Sequence, residues 1–151
     1  MNTTEAAVRL TDVKKTFDGH DFVLKGIDLA IPKGSLTAII GFSGTGKSVM
    51  LKHILGLLKP TSGKVEVLGQ DLAALDANEL TKFRCHFGVL FQSAALFDDM
   101  TVLENVTFPI QEHRRDLPWD EVERIAREKL AMVGLDPKHL SLIHISEPTR
   151  P

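Results

Sequence analysis

Cysteine is nearly missing from this 151-residue chain, and its single copy, Cys85, has no second thiol with which to form an internal disulfide. Such usage is typical of a reducing compartment. Long apolar runs are also missing: none approaches the ~20 residues that a membrane span needs. No apolar stretch after Met1 has the form of a secretory signal. These absences predict a cytoplasmic protein.

An excess of charge of one sign is missing as well. The net charge of −2 exerts no general attraction on nucleic acid or on an anionic membrane. The basic run at residues 113–115 is too short to argue for nucleic acid, so we expect no nucleic-acid partner. None of the six histidines has a familiar metal-ligand spacing. We expect His53 to be a surface or packing residue.

The composition is otherwise ordinary for a soluble globular protein, with 43% hydrophobic and 25% charged residues, and the length allows one domain with a core. One octapeptide stands out: Gly41-Phe42-Ser43-Gly44-Thr45-Gly46-Lys47-Ser48 fits the phosphate-binding pattern G-x-x-x-x-G-K-[ST]. The apolar residues 36–40 before it predict a buried strand, and the apolar spacing after it predicts a helix over residues 49–58. Strand, glycine loop and helix together aim backbone N–H groups at a polyphosphate.

Each constrained position of this loop has a physical role. Gly41, Gly44 and Gly46 permit backbone angles that other residues avoid, and a close approach to phosphate oxygens. Lys47 carries an ammonium that reaches the β- and γ-phosphates. Ser48 offers a hydroxyl to Mg²⁺. The alternative, a glycine-rich turn followed by a surface lysine, is disfavoured by the flanking strand and helix.

The rest of the chain mixes strand and helix patterns, which predicts an α/β protein with a leading antiparallel portion. Predicted strands cover residues 8–17, 22–31, 64–68 and 87–91, and further predicted helices cover residues 74–83 and 119–133. We expect residues 59–63 to stop the first helix, because Pro60 cannot continue it.

The last predicted helix has an apolar stripe on one side. The stripe consists of Val122, Ile125, Ala126, Leu130 and Val133. Its opposite face is charged, and we expect Glu123 and Arg127 to pair there at the i,i+4 spacing.

The segments around the loop resemble the ATPase domain of ABC transporters. The resemblance rests on residues 23–29, 32–34, 55–63 and Leu90-Phe91-Gln92 together with the loop, and covers residues 8 to 139. It implies a P-loop NTPase fold of the α/β class, an ABC-type nucleotide-binding domain. This chain would contain the antiparallel β portion, the P-loop core and the start of the helical subdomain. ATP and Mg²⁺ are the implied cofactors.

The resemblance also implies a set of site residues. The ATP-binding residues would be Phe17, Gly41, Phe42, Ser43, Gly44, Thr45, Gly46, Lys47, Ser48, Val49 and Gln92, with Ser48 and Gln92 as the Mg²⁺ ligands. Phe17 matches the aromatic residue that stacks on adenine; the alternative is a core side chain, and the turn that follows favours stacking. Gln92 matches the residue that senses Mg²⁺ and the γ-phosphate, rather than a plain surface amide.

A finer resemblance, carried by residues 91–102, 104–106 and 108–109, is to the ATPase subunits of the Mla/MCE-associated phospholipid transporters, which include the toluene-tolerance ATPases. Ala94 stands where many members have glycine, and Val49 where most ABC ATPases have threonine. The implied function is transport of phospholipid or another hydrophobic substrate between membranes. The implied partners are a transmembrane permease, a second copy of the ATPase in a homodimer, and an MCE-type lipid-binding protein. The protein would lie at the cytoplasmic face of the inner membrane, held by the permease.

A cluster of large apolar side chains follows the 87–91 segment. Leu96, Phe97 and Met100 would meet a coupling helix of the permease, or pack inside the domain. We expect some of each.

Three parts of an ABC ATPase do not occur in the chain: an LSGGQ-type signature, a Walker B strand with its Asp and catalytic Glu, and a switch His. We therefore assign no catalytic residue. Residues 140–151 resemble a translated sequencing-library adapter, and Ser146 stands where a Walker B strand would have Asp. We expect a partial ABC ATPase domain over residues 1–139 and a non-native tail over residues 140–151. The full-length parent would be an ATPase, and this chain would bind nucleotide without turnover.

Two alternatives remain open. The first is that the chain belongs to a different ABC importer or exporter, and the second is that it is a nucleotide-binding module without catalysis. A P-loop kinase is weaker, because it leaves the residues around Gln92 unexplained.

Overall fold

The computed structural model describes residues 5–91 and 95–135. They belong to two compact units that divide after residue 88, and each unit is described by itself. The first unit contains β1 (Ala6–Thr16), β2 (Phe22–Pro32), α1 (Lys47–Ile54), β3 (Ser62–Val67), β4 (Gln70–Asp71) and α2 (Ala77–Arg84). The second contains α3 (Val102–His113) and α4 (Trp119–Met132).

The sheet of the first unit is antiparallel throughout and has the strand order β2-β1-β3-β4. β1 is an inner strand, and its residues Val8, Leu10 and Val13 are buried in the core. α1 adds Met50 and Ile54 to the same cluster. The antiparallel leading portion predicted from the sequence is therefore confirmed, with strand ends shifted by one or two residues.

β1 contains a bulge at Asp12, whose φ of 43° lies in the left-handed region. The pairing of β1 with both neighbours shifts register there, and the Asp12 amide donates to the Asp28 carboxylate at 2.9 Å. The bulge brings backbone close to Gly63 of β3. A Cβ at Gly63 would lie 2.2 Å from the carbonyl oxygen of Asp12. Glycine is needed at position 63 because of this approach.

α1 ends at Ile54, four residues before the predicted end. Gly56 adopts a φ of 65°, its amide donates to His53 O at 3.0 Å, and the Leu57 amide donates to Lys52 O at 2.8 Å. These two bonds form a Schellman motif. The prediction that residues 59–63 stop the helix is therefore wrong, because Gly56 ends it first.

Residues 36–40, predicted as a buried strand, form no strand within the part of the chain that the structure describes. Leu36 is fully exposed and Ile40 is 93% exposed. An apolar run becomes a buried strand only where neighbouring strands pair its backbone groups and cover both faces. The described sheet offers residues 36–40 no such neighbour, so this prediction is wrong for the described structure.

Residues 87–91, also predicted as a strand, form none in the described structure, for the same reason. Phe87 packs against the core of the first unit, and its ring meets Phe83 edge-on at 5.8 Å between centroids. Leu90 is 95% exposed and Phe91 57%. No described strand pairs with this segment.

α2 begins at Ala77 rather than at residue 74 because Asp76 caps it. The Asp76 carboxylate accepts hydrogen bonds from the Asn78 and Glu79 amides at 2.8 Å each. The Glu79 carboxylate returns to the Asp76 amide at 2.9 Å. This reciprocal capping box places the helix start where the first orphan N–H groups are satisfied.

α3 has no counterpart among the sequence predictions, although its start carries a recognisable pattern. Thr101 and Glu104 form a capping box, in which Thr101 Oγ1 accepts the Glu104 amide at 3.1 Å and the Glu104 carboxylate accepts the Thr101 amide at 2.7 Å. Pro109 lies inside the helix. A proline there removes one ladder hydrogen bond and argues against a helix from sequence alone.

α4 confirms the predicted last helix, which ends one residue before the predicted boundary. Its buried residues are Val122, Ala126 and Leu130. Val133 does not belong to the buried stripe as predicted, since it is 70% exposed. It lies past the helix end, where the helical spacing no longer applies. The predicted Glu123–Arg127 ion pair is confirmed.

Candidate functional site

Residues 41–46 form an irregular loop that leads directly into α1. Gly44 and Gly46 adopt φ values of 79° and 90°, which residues with a Cβ disfavour. Gly46 is the N-cap of α1 and contributes no side-chain cap. The first N–H groups of the helix are therefore without a capping side chain and are available to an anion.

β2 supports this loop by direct contact. A Cβ at Gly46 would lie 2.8 Å from Leu24 Cδ2 and 3.1 Å from the Val23 carbonyl oxygen. Glycine at position 46 thus serves two needs, the left-handed φ and the close packing of the loop on the strand. The contact joins residues more than twenty positions apart, so the local pattern could not reveal it.

Lys47 folds back over the loop. Its Nζ donates to the carbonyl oxygens of Gly41 at 2.7 Å and Phe42 at 2.6 Å. The Thr45 hydroxyl donates to the same Phe42 oxygen at 2.9 Å. Two carbonyls thus hold the ammonium at the loop, where phosphate oxygens of a ligand would compete for its three donors.

A depression of about 430 Å³ opens over this loop. Its lining residues are Val23, Ser43, Gly44, Gly46, Lys47, Ser48 and Val49. The lining includes a lysine and no carboxylate, so its electrostatic potential favours an anion. A larger depression of about 560 Å³ lies on the β1–β2 hairpin and is lined by Lys14, His20, Asp21, Phe22 and Lys25. The smaller depression is the candidate phosphate site, because of these two depressions only it is lined by the glycine loop.

Of the two predicted Mg²⁺ ligands, the structure describes Ser48. Ser48 is exposed beside Lys47, and a hydroxyl next to bound phosphates suits the hard, oxygen-seeking Mg²⁺ ion. Gln92, the other predicted Mg²⁺ ligand, lies outside the described residues. Within residues 5–91 and 95–135, no group of three or more His, Cys, Asp or Glu side chains could hold a metal ion.

Phe17 is 64% exposed, so it is not the core residue of the alternative reading. The Lys15 ammonium lies 5.2 Å from the centroid of its ring and donates to Lys59 O at 2.9 Å. The ammonium thus lies over one face of the ring, where the electron-rich π system attracts a cation. Adenine stacking on Phe17 stays a prediction.

The turn after Phe17 is organised by one carboxylate. Asp18 Oδ1 accepts hydrogen bonds from the His20 amide, the Asp21 amide and the Thr16 hydroxyl, each at 2.9 Å. These donors, with the His20 amide as the largest contribution, hold the pKa of the Asp18 carboxyl below its ordinary value of 3.8.

We therefore expect the Asp18 carboxyl to titrate below 3.8, as followed by NMR. Because the folded-state pKa is lowered, the turn's contribution to stability is present above the ordinary pKa and is lost as pH falls through the folded one. Thr16→Val removes one donor and should move the midpoint upward. An unshifted or raised midpoint in the unsubstituted chain would contradict this account of the turn.

His53 is a packing residue, as one of the two predicted possibilities had it. It is 1% exposed, and its Nδ1 lies 2.7 Å from the Val49 carbonyl oxygen one helical turn earlier. Its Nε2 is buried without a hydrogen-bond partner among the described residues.

In the second unit, the predicted apolar cluster is partly exposed. Leu96 is 50% exposed and Phe97 45%, while the Phe97 ring also packs on Phe108 at 4.9 Å between centroids. Phe97 thus packs within its unit on one side and leaves part of its ring exposed on the other. No helix of the described residues is long and apolar enough to cross a bilayer.

Sequence reasoning missed Asn105, which makes the densest set of side-chain hydrogen bonds in the second unit's described part. The sequence signal nearest to Asn105 is the capping box at Thr101 and Glu104. This signal predicts a helix start but not the role of Asn105.

Comparison with known protein families matches residues 24–147 to the family described as ABC transporter. The match reaches into the segment expected to be a non-native tail, so it gives no support to that expectation. The tail itself lies outside the described residues.

Two curated relatives illustrate the breadth of the similarity. The intermembrane phospholipid transport system ATP-binding protein MlaF of Haemophilus influenzae is 44% identical over 128 residues, which cover 83% of this chain and 48% of MlaF. The protein named "Probable ribonucleotide transport ATP-binding protein mkl" of Mycobacterium bovis is 40% identical over 129 residues, which cover 85% of this chain and 35% of that protein. The chain thus spans between a third and a half of these relatives.

A solved structure agrees with the fold. The ATP-binding cassette MJ0796, a dimer in a post-hydrolysis state bound to ADP and Pi, superposes with a TM-score of 0.77 at 36% identity, covering 89% of this chain and 60% of that chain. The predicted fold class, an ABC-type nucleotide-binding domain of the P-loop NTPases, is confirmed. With its glycine loop, family match and structural neighbour, the chain belongs to the ABC transporter family as an ATP-binding domain.

Proposed function

We propose that this chain serves as the ATP-binding subunit of a transporter that moves phospholipid or another hydrophobic substrate between membranes. The nucleotide part rests on the depression over the glycine loop, with Lys47 at its edge. The lipid part rests on one observation, the 44% identity with a protein named for intermembrane phospholipid transport.

ATP would enter the depression with its phosphates over the loop. Lys47 Nζ, now shared between Gly41 O and Phe42 O, would transfer hydrogen bonds to phosphate oxygens. The open N–H groups after Gly46 would bind the same phosphates. Ser48, and Gln92 by family resemblance, would hold the accompanying Mg²⁺, which neutralises phosphate charge. Phe17 would stack on the adenine.

The proposed membrane partner is a permease that docks on the second unit. Leu96 and Phe97 offer half-exposed apolar surface there. Asp98 and Asp99 follow them directly and are exposed. This juxtaposition fits a permease segment in which an apolar side chain is flanked by Lys or Arg. A second copy of the ATPase and an MCE-type lipid-binding protein complete the proposed assembly on the inner membrane.

A second candidate is supported by the relative named for ribonucleotide transport, which is 40% identical to this chain. In that case this chain would supply ATP binding to a transporter of a polar solute. The glycine loop and the docking surface would act in the same way, and only the permease and its cargo would differ.

Reconstitution in vesicles of this chain with a permease that co-purifies with it from its native membranes distinguishes the two candidates. The lipid proposal predicts ATP-dependent transfer of a fluorescent phospholipid to acceptor vesicles, with no uptake of labelled ribonucleotide. Ribonucleotide uptake without lipid transfer would overturn the lipid part and leave the assignment to the family intact.

A further inference from the structure

Asn105 stands eight residues after Phe97 and four after the α3 N-cap, Thr101, and its side chain reaches back across the intervening loop. Asn105 Oδ1 accepts the Phe97 amide at 2.8 Å. Its Nδ2 lies 3.1 Å from Phe97 O, 3.0 Å from Thr101 O and 3.3 Å from Met100 O. One amide therefore engages both backbone groups of Phe97 and two later carbonyls of the same loop.

Only asparagine has the chemistry for this position. Its amide supplies one acceptor and two N–H donors at the required length. Aspartate would keep the acceptor for the Phe97 amide but turn a negative charge toward the loop carbonyls. Glutamine would place the amide one methylene too far, and alanine would leave Phe97 without either bond.

The loop that Asn105 closes starts from an unfavourable backbone. Ala95 has a φ of 52°, a left-handed conformation that costs energy for any residue with a Cβ. Such a conformation persists where surrounding contacts hold it. The contacts here are Asn105 on the backbone of Phe97, and Phe108 on its ring at 4.9 Å. Both come from α3, three residues apart and on one side of the helix.

We propose that Asn105 is a positioning residue that holds the 95–101 loop in one conformation, so that Leu96 and Phe97 form a preformed docking surface for the permease. The inference rests on the proposed function for the identity of the partner. A preformed surface lowers the ordering cost of association, because the side chains at the contact are already in place. Asn105 would therefore act on permease affinity through Phe97, without touching the permease.

The test compares this chain with its Asn105→Ala, Phe97→Ala and doubly substituted variants in binding to the co-purified permease. We expect each single change to weaken binding about tenfold. The double variant should lose much less than the product of the two losses, since Asn105 acts through the loop that carries Phe97. Multiplicative losses, or unchanged affinity in Asn105→Ala, would overturn the proposal.

Two controls separate positioning from general damage. Gln111→Ala truncates another amide on α3, which is exposed and makes no side-chain hydrogen bond to the 95–101 loop in the described residues, and should leave permease affinity unchanged. ATP affinity of Asn105→Ala should also be unchanged, and an equal loss of ATP and permease binding would overturn the proposal.

Hydrogen exchange provides a readout that needs no permease. The Phe97 amide should exchange about tenfold faster in Asn105→Ala than in the unsubstituted chain, since its acceptor is removed. If the unsubstituted chain did not bind the permease, the proposed function would fail. The exchange rate of the Phe97 amide in Asn105→Ala would then test the positioning role separately. Unchanged exchange would overturn that role, and faster exchange would support it.

Discussion

Replacing Lys47 by alanine should weaken binding of Mg-ATP to this chain by about 100-fold or more, measured by isothermal titration calorimetry. Lys47 is the cation of the depression that the glycine loop lines. Its Nζ lies within 2.7 Å of two loop carbonyls, a position from which it can pass charge-assisted hydrogen bonds to phosphate oxygens. The methyl group of alanine leaves the loop's backbone N–H groups and hydroxyls without a cation beside them.

Lys52→Ala is the matched control, because it removes a lysine from the same helix at an exposed position outside the depression. It should change ATP affinity by less than about twofold. An affinity of Lys47→Ala within about threefold of the unsubstituted chain would show that the loop is not the phosphate site. Steady-state turnover by the 151-residue chain that disappears in Lys47→Ala would instead contradict the expectation of binding without hydrolysis.

The second large effect concerns folding. Gly63→Ala should lower the free energy of unfolding by about 3 kcal/mol or more, as measured by urea denaturation followed by circular dichroism. The new Cβ would lie 2.2 Å from Asp12 O and 2.7 Å from Thr11 O. These atoms are backbone, so relief requires the bulge of β1 to move. The φ of 89° at Gly63 adds strain that alanine cannot avoid.

Gly69→Ala separates the steric clash from the backbone strain. Gly69 has a φ of 80°, close to that of Gly63, but a Cβ there would meet no atom within 4 Å. Its replacement should cost only about 1 kcal/mol, the left-handed penalty alone. Equal losses in the two variants would mean that β1 and β3 relax freely at the bulge, and that the close approach has no energetic consequence.

The glycine loop shows why one part of the site could be predicted from sequence. Its function depends on residues that are neighbours in the chain: glycines for the backbone angles, Lys47 for charge, and the helix that starts at once. Local chemistry of this kind can be predicted from sequence because it depends on consecutive residues. The same holds for the predicted hairpin strands and for α4, whose periodic patterns reflect the face that each element buries.

The strands predicted at residues 36–40 and 87–91 show the limit. Their apolar composition indicates that they need neighbours, but strand formation depends on backbone partners from distant parts of a chain. The described sheet supplies none. The early end of α1 has a different cause, because Gly56 takes a left-handed φ and ends the helix. The sequence also contains Pro60 four residues later, which predicts a later helix end.

By itself, the sequence determined the family, the glycine loop, the hairpin and the amphipathic last helix, because each depends on residue types at short and regular spacing. Only the tertiary structure decided three matters: Gly46 rests on β2, Gly63 lies under the bulge at Asp12, and Asn105 closes the loop that carries Phe97. Each of these joins residues separated by between eight and about fifty positions. Their distance and orientation follow from how the elements pack, which no local pattern encodes.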